Sequence, residues 1–445
     1  MFLCSEAKLF YWVSVTFLFN RNSKLMKNER LLLFILAVIQ FTHILDFMII
    51  MPLGSTLMKT FDITPKQFSW IVSSYAIAAF FTGIVSAFFL DKFDRKTSLL
   101  AGYIGFTVAT FACAFSPNYT VFIITRSLTG VFGGLLASLI FSIVADAVPL
   151  HRRATAMGYI MMAFSTASVV GVPFGLYLAA SFSWEMPFLV VGGISGVMIF
   201  FTIFLFPSMR KHLDSTGEKP KAIHNIIGIF KNPNQLRALG FTMLMMLGHF
   251  TIIPFIAPYM IRNIGFSDVN VSYIYFIGGL ATFFTLPFFG KLADKRGHKR
   301  VFIVMGSLAV IPILLITHLP AVSIFIALTV TTIFFITSSG RSVPATTMVT
   351  AVVKSENRAG FMSLRSSANE LALALASMIA GAIVIEDEAT GMLLHYDRVG
   401  YVAIGLTILS IWLGSKLVAI DFEDNTVTDK PAEDEKTLVL EGEAT

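Results

Sequence analysis

Ionisable side chains interrupt long apolar runs of this sequence, among them Asp46, Arg126, His249 and Glu370. Inside a bilayer an Asp or Arg costs about 2.5–3.5 kcal/mol on insertion scales, so each such residue is a candidate for binding or proton transfer. A carboxylate placed between a cation and a dry environment can take up or release a proton, because the two influences act on its pKa in opposite directions. The four residues therefore predict chemistry within a membrane.

Asp46 and Arg126 are expected to meet. Asp46 lies six residues before Pro52, the predicted outer end of the first apolar run, and Arg126 lies six residues after Thr120, the predicted outer start of the fourth. At 1.5 Å per residue, both lie about 9 Å below the same membrane surface. Two interpretations follow: a proton-coupling carboxylate tuned by Arg126, or a permanent ion pair that clamps two helices together.

Glu370 lies near the middle of the eleventh apolar run. A carboxyl group at this depth is costly, which makes it a candidate for proton transfer or for binding a charged group. Glu370 is therefore interpreted as a second proton carrier, as the anchor for a cationic substrate, or as a carboxylate paired with Arg365 or Arg341.

Two polar loops indicate an internal repeat. The segment 290–300 reads Gly-Lys-Leu-Ala-Asp-Lys-Arg-Gly-His-Lys-Arg, and a weaker copy, Asp-Lys-Phe-Asp-Arg-Lys, occupies 91–96. Asp91 and Asp294 are 203 residues apart, nearly half of the chain, which predicts two copies of one multi-helix unit.

The same interval connects Asp46 with His249. One interpretation is a pair of titratable groups that face one cavity, and the other is a histidine that bonds a nearby carbonyl group. His43 and Asp46 share a helix face at i and i+3, but no third metal ligand is evident. An intramembrane enzyme using His43 with Asp46 would also need a nucleophile, and none is readable.

Composition defines the class of protein. The 445 residues are 56% hydrophobic and 13% charged, with a mean hydropathy of +0.77, and soluble domains carry nearly twice that share of charges. We therefore predict a polytopic all-α membrane protein that binds no nucleic acid. Cys4 and Cys113 are too few for a disulfide framework.

Apolar runs of about 20 residues, the length that spans a bilayer, predict twelve helices. With both termini in the cytoplasm, the only lysines and arginines that lie in external loops are Lys59, Lys66, Arg262 and Arg398. The positive-inside rule favours this distribution. The runs are 31–53, 68–90, 98–115, 119–146, 154–180, 184–206, 236–260, 270–290, 300–318, 321–345, 358–385 and 397–420. They divide into an extension at 1–30, six helices at 31–206, a basic loop at 207–235, six helices at 236–420 and an acidic tail at 421–445. Met1 and Met26 are both candidate start residues.

The twelve runs and the repeated loop resemble the major facilitator superfamily. The segment 290–300 is similar to the family signature Gly-x-Leu-Ala-Asp-Lys/Arg-x-Gly-Arg-Lys, with His298 in place of an arginine. The resemblance implies two pseudo-symmetric six-helix bundles around a central cavity. It also implies that the loops act as a conformational latch, the alternative being a merely orienting basic loop. The latch residues would be Asp91, Arg95, Lys96, Gly290, Asp294, Gly297 and Lys299.

Two further segments resemble the proton-coupled drug and sugar efflux branch of that family. Arg126-Ser-Leu-Thr-Gly130 is similar to its Arg-x-x-x-Gly motif, and Gly171-Val-Pro-Phe-Gly175 is similar to its Gly-Pro-x-x-Gly motif without the adjacent Gly-Pro pair. We expect Gly130, Gly171, Pro173 and Gly175 to permit close helix contact or bending.

The resemblance implies a bacterial inner-membrane exporter that exchanges a small organic molecule for protons. No cofactor is expected, and a monomer in the lipid bilayer would suffice. Uptake by proton symport, facilitated diffusion, and a non-transporting membrane sensor or scaffold are the alternatives.

Overall fold

A computed structural model describes residues 27–89, 93–209, 228–353 and 358–419. Twelve stretches of helix in this part of the chain are long and apolar enough to cross a bilayer, which confirms the twelve predicted spans. A helix suits lipid because it satisfies every backbone polar group within its own segment. The first six spans are Lys27–Ile49, Pro65–Phe89, Arg95–Ala114, Tyr119–Ala147, the pair Leu150–Thr166 and Val172–Ser181, and Met186–Leu205.

The last six spans follow the same pattern in the second half. Two of them are interrupted, at residues 251–252 and at Ala309. They are the pair Pro233–Phe250 and Ile253–Arg262, Asp268–Arg296, the pair His298–Leu308 and Val310–Thr317, Ile324–Thr350, Arg358–Ile383 and Tyr396–Ser415.

The chain also forms a small sheet that the sequence did not predict. Strands β1, Ile385–Glu386, and β2, Leu393–Leu394, pair antiparallel between the eleventh and twelfth spans. Asn263 holds β2 from the end of the seventh span, because its side chain accepts from Leu393 N–H at 2.9 Å and donates to Leu393 O at 2.9 Å.

The first span ends earlier than predicted. Its helix stops at Ile49 rather than near Pro52, and a separate short helix, Gly54–Thr60, follows. A residue that precedes proline is disfavoured in the helical region, so Met51 cannot readily continue the helix. Asp46 is therefore three residues from the helix end, about 4.5 Å along the axis rather than 9 Å.

The twelve spans form two bundles of six. Spans one to six pack with one another, as do spans seven to twelve. The bundles touch mainly where the second span meets the eleventh and where the fifth meets the eighth. Ser73 Oγ donates to Ala374 O at 3.0 Å, and Ser377 Oγ donates to Ser69 O at 3.2 Å, so polar bonds join the first of these contacts.

The apolar core differs between the two sides of the molecule. We call the side at which the first span begins the terminal side. On the opposite side one hydrophobic cluster contains buried residues of both bundles, such as Met51, Phe68 and Phe255. On the terminal side each bundle has clusters of its own, one built around Ile39 and Leu139 and others in the second bundle. Among the described residues, the hydrophobic cluster that the two bundles share therefore lies opposite the terminal side.

Glycines set the closest approach between neighbouring spans. A Cβ atom on Gly134 of the fourth span would lie 2.6 Å from Ala79 O and 2.8 Å from Ala79 Cα of the second. A Cβ atom on Gly279 of the eighth span would lie 3.0 Å from Ser168 O of the fifth. Because backbone atoms cannot move aside as a flexible side chain can, these helices pack at this distance only with glycine.

We predict that Gly134→Ala destabilises the first bundle by about 1–3 kcal/mol, the usual cost of overpacking. The matched control is Gly196→Ala in the sixth span, where an added Cβ meets nothing within 4 Å. Thermal unfolding of the purified protein in detergent measures both variants. A lower midpoint for Gly134→Ala and an unchanged or higher one for Gly196→Ala is expected. Equal midpoints for the two variants would contradict this account of the packing.

Candidate functional site

Asp46 and Arg126 form an ion pair deep in the first bundle. Arg126 Nη1 donates to Asp46 Oδ2 at 2.7 Å, and the two side chains are 1% and 0% exposed. Thr110 Oγ1 on the third span donates to Asp46 Oδ1 at 3.4 Å. The first, third and fourth spans thus meet at one carboxylate, and the predicted contact between Asp46 and Arg126 is present.

Tyr75 of the second span is a member of this cluster that sequence reasoning missed. Its ring lies under the guanidinium of Arg126, with Cζ 4.9 Å from the ring centroid, and its hydroxyl is 2.7 Å from His43 Nε2. Tyr75 is almost fully buried. A buried tyrosine hydroxyl usually finds a polar partner, and that rule together with the nearby candidates is the only signal that could have suggested it.

The glycines of the fourth span make room for Tyr75. A Cβ atom on Gly130 would lie 2.3 Å from Tyr75 O, and one on Gly133 would lie 2.9 Å from His43 Nε2. The Arg-x-x-x-Gly spacing therefore has a steric basis here: Arg126 supplies the charge, and Gly130 lets the second span approach closely enough for its tyrosine to lie under that charge.

His249 occupies the corresponding place in the second bundle. Its Nδ1 atom accepts from Arg341 Nη2 at 3.2 Å and is 3.0 Å from Ser338 Oγ. Arg341 also donates to Thr407 Oγ1 at 3.4 Å and is almost fully buried. The expected bond from His249 to a carbonyl group is replaced by bonds to side chains of the tenth span. Because an arginine can only donate, His249 Nδ1 carries no proton here.

Glu370 does not form the ion pair that one interpretation expected. Arg365 bonds Thr346 Oγ1 at 3.2 Å, and Glu370 Oε2 has no hydrogen-bond partner among the described residues. Five residues of helix turn a side chain by about 140°, so Arg365 and Glu370 leave the eleventh span in different directions. Glu370 lies on the eleventh span, which packs along the second span of the other bundle.

The first predicted latch loop joins the ends of three spans. Arg95 Nε donates to Asp146 Oδ2 at 2.9 Å, and Lys96 Nζ donates to Ile203 O at 2.7 Å. Asp94 accepts from Met209 N–H at 2.8 Å. Asp91 lies outside the described residues. The loop therefore ties the start of the third span to the ends of the fourth and sixth.

Asp94 stands where the family signature has glycine, and in this chain the aspartate side chain makes hydrogen bonds that a glycine could not make. Partial burial raises the pKa of its carboxyl, but hydrogen bonds from Met209, Thr97 and Ser208 outweigh that effect and lower the pKa below its ordinary value. The carboxylate form is thus held at neutral pH, and it keeps the segment after the sixth span attached.

The second loop makes fewer contacts. Gly297 has a φ of +87°, which suits glycine, and it ends the eighth span. Asp294 is 73% exposed and meets His298 Nε2 at 3.4 Å, within its own loop. Lys299 is exposed, and an added Cβ on Gly290 would meet only Val343 at an ordinary 3.8 Å. Among the described residues, no hydrogen bond or ion pair joins Asp294 or Lys299 to another span, although the expected conformational latch would require such a contact.

The reduced motif of the fifth span lies at a change of helix type. Residues Ala167–Gly171 form a π-helical turn that ends two residues before Pro173. Proline removes one backbone donor, and a π turn accommodates such a gap. Added Cβ atoms on Gly171 and Gly175 would lie 2.9 Å and 2.5 Å from Leu45 and Ile49 side chains. The motif thus combines a helix irregularity with close contact to the first span.

The atoms that could bind a metal at His43 and Asp46 have other partners. His43 Nε2 contacts Tyr75, and Asp46 Oδ2 contacts Arg126. In the part of the chain that the structure describes, no group of three or more His, Cys, Asp or Glu side chains has metal-binding geometry.

Comparison with known proteins identifies the relatives of the chain. The model of the Major Facilitator Superfamily matches residues 36–247 and 238–441. An uncharacterized MFS-type transporter, YwfA, from Bacillus subtilis (strain 168) is 26% identical over 377 residues, covering 82% of this chain and 85% of the relative. Multidrug resistance protein 2 of the same organism is 24% identical over 280 residues, covering 62% of this chain and 70% of the relative.

Solved structures agree with the fold. The D-xylose-proton symporter aligns with a TM-score of 0.72 at 15% identity, covering 87% of this chain and 97% of that one. A bacterial homologue of the human lysosomal transporter Spinster, in an inward-facing and unoccupied conformation, aligns with a TM-score of 0.71 at 16% identity, covering 89% and 98%. The family and these relatives are transporters rather than enzymes. The chain therefore belongs to the Major Facilitator Superfamily and is a multi-pass membrane transporter.

Proposed function

We propose that this transporter exports a small organic molecule, a drug-like compound or a sugar derivative, in exchange for protons by alternating access. The observation that carries the proposal is the buried ion pair between Asp46 and Arg126. A carboxylate with 0% exposure inside a bilayer is costly, and transporters use such groups as proton relays. The proton is the coupling ion, and no cofactor takes part.

The exchange works through the partners of Asp46. While Arg126 and Thr110 hold it, the carboxylate is charged and satisfied. When rearrangement of the first bundle separates Asp46 from Arg126, the carboxylate takes a proton instead, because an unpaired charge is strongly disfavoured there. Return to the paired arrangement releases that proton on the other side of the membrane.

The arrangement of the core supports alternating access. The bundles share a hydrophobic cluster only on the side opposite the termini. With the termini in the cytoplasm, this is a structure closed towards the outside. The loop that holds Arg95 and Lys96 keeps the terminal side of the first bundle together as a rigid unit, so that it can rock against the second.

The relatives and the motifs of the chain bear on whether the substrate is exported or taken up. One relative is named for multidrug resistance, which favours export. The fifth span carries Gly171-Val-Pro-Phe-Gly175 without the adjacent Gly-Pro pair of the antiporter motif, which permits proton-coupled uptake or facilitated diffusion as the second candidate.

We propose that the molecule works as a monomer in the bacterial inner membrane, with both termini in the cytoplasm. Charges support the orientation, because the basic loop that contains Lys299 lies on the terminal side while the opposite side carries few cations. One chain contains both bundles and the contacts between them.

Cysteine labelling tests this orientation. In a Cys4→Ser background, in which Cys113 is buried, we predict that Lys59→Cys reacts with a membrane-impermeant maleimide in intact cells. Lys299→Cys should react only after the cells are permeabilised, because its loop faces the cytoplasm. Both positions are exposed, so the two variants are matched. The reverse pattern would place the termini outside.

Transport in proteoliposomes tests the mechanism. The substrates to be tested are a panel of cationic dyes, neutral antibiotics and sugars. We predict that some of them trigger a movement of protons in the direction opposite to the movement of the substrate. Asp46→Asn should abolish this movement, because the amide cannot exchange a proton. The control is Asp62→Asn, an exposed aspartate with a φ of +50° that asparagine tolerates.

Proton movement in the same direction as the substrate would establish symport instead. Substrate flux that persists in Asp46→Asn, or that needs no proton gradient, would reduce Asp46 to a structural partner of Arg126. The double variant Asp46→Asn with Arg126→Gln separates folding from coupling. It removes the unpaired cation, which otherwise costs about 3–5 kcal/mol. We expect it to fold better than Asp46→Asn while still lacking proton exchange.

A further inference from the structure

Near the middle of the first and eleventh spans, four side chains carry buried polar atoms that have no hydrogen-bond partner among the described residues. They are Gln40 Oε1 and His43 Nδ1 of the first span and Asn369 Oδ1 and Glu370 Oε2 of the eleventh. Buried polar groups are nearly always bonded, so a group of such atoms calls for a ligand. Gln40 is only 8% exposed, which makes its free oxygen particularly informative.

The two pairs lie at the same depth. Gln40 is 13 residues from Lys27, where the first span begins, and Glu370 is 12 residues from Arg358, where the eleventh begins. Both helices begin on the terminal side, so the two side chains are about 20 Å and 18 Å from it along the helix axes. This depth is near the middle of the spans.

Tyr75 brings the two helices into one neighbourhood. Its hydroxyl is 2.7 Å from His43 Nε2 of the first span. The second span, which carries Tyr75, packs along the eleventh, where Ser73 Oγ bonds Ala374 O at 3.0 Å. The second span therefore contacts both His43 and the helix that carries Glu370.

The charge at Glu370 is not balanced by any described residue. Arg126 is paired with Asp46, while Arg365 bonds Thr346 and Arg341 bonds His249. A buried carboxylate of this kind matches a cation in its ligand.

The chemistry of the free atoms narrows the ligand further. Gln40 Oε1, Asn369 Oδ1 and Glu370 Oε2 can only accept hydrogen bonds. His43 Nδ1 also accepts when Nε2 carries the proton and donates it to Tyr75. The complement to these atoms is a group with several N–H donors and a positive charge.

We propose that Glu370, with Gln40 and His43, binds a protonated amine group of the transported molecule. This inference rests on the proposed transport function, since it names the substrate class of that transporter. The ammonium contacts the first bundle through Gln40 and His43 and the second through Glu370. Binding therefore connects the two bundles, which is what a substrate must do to influence the movement between them.

Ligand-induced stabilisation in detergent tests the proposal without any proton gradient. The probes are 2-phenylethylammonium, its neutral isostere 2-phenylethanol, and the trimethylammonium derivative, which keeps the charge but has no N–H donor. For the wild type at neutral pH, we expect the ammonium to raise the unfolding midpoint at lower concentration than either of the others. Equal responses to the ammonium and the alcohol would overturn the proposal.

Variants then assign the effect to the carboxylate. Glu370→Gln should weaken apparent binding of the ammonium about 10-fold to 100-fold, the usual range for a charge-assisted hydrogen bond, and leave the alcohol unaffected. Glu388→Gln is the matched control, because it makes the same change at an exposed site in the second bundle. Unchanged binding of the ammonium by Glu370→Gln would overturn the assignment.

A second variant covers the case in which Glu370→Gln does not fold. Glu370→Asp keeps the charge on a shorter side chain, so it should bind the ammonium more weakly than the wild type and still prefer it to the alcohol. Wild-type affinity or loss of that preference would contradict the site. This binding measurement needs no transport. If the wild type exchanges no protons in proteoliposomes, that result counts against the proposed proton coupling alone and leaves the test of ammonium binding unchanged.

Discussion

The structure of the first bundle depends on the ion pair between Asp46 and Arg126. In a dry interior neither charge is stable alone, and leaving one unpaired costs about 3–5 kcal/mol. The pair therefore fixes the first span against the fourth, while Thr110 adds the third. The ring of Tyr75 under the guanidinium then brings in the second span, and this contact is possible because Gly130 has no side chain. One electrostatic requirement thus determines the packing of four helices.

The second bundle keeps the geometry of this arrangement with different chemistry. His249 stands where Asp46 stands in the first bundle, and it too meets an arginine, Arg341, three spans further on. A neutral imidazole accepts one hydrogen bond but balances no charge. The two latch loops also differ, because Arg95 of the first loop forms an ion pair with Asp146 whereas Asp294 of the second loop is exposed. Polar groups thus occupy corresponding positions in the two halves, and at these positions the first half forms a balanced ion pair whereas the second pairs an arginine with a histidine.

Sequence reasoning predicted the fold well and the site in part, for physical reasons. Twelve apolar runs predict twelve helices because lipid leaves the backbone few alternatives. The contact between Asp46 and Arg126 was predictable because two costly charges at similar depth have to find each other. Tyr75 was missed because its importance depends on which face of the second span meets Gly130, and a uniformly apolar run does not show its faces. The partners of Arg365 and Glu370 depend on how the eleventh helix is rotated about its axis relative to its neighbours. Sequence spacing gives the angle between two residues of one helix, but it does not give this rotation.

The contact between the bundles must be strong enough to close one side and weak enough to open again. Its composition meets both demands. The second and eleventh spans meet through serine hydroxyls and backbone carbonyls, and Gly279 of the eighth span lies against the backbone of Ser168 in the fifth. Small residues allow close packing without interlocking large side chains, so the helices can separate without repacking a core. The shared hydrophobic cluster lies on one side only, and the π-helical turn Ala167–Gly171 lies within the fifth span at this boundary. A helix irregularity at that point gives the fifth span a place to bend, so that part of the movement of the bundles can be absorbed there.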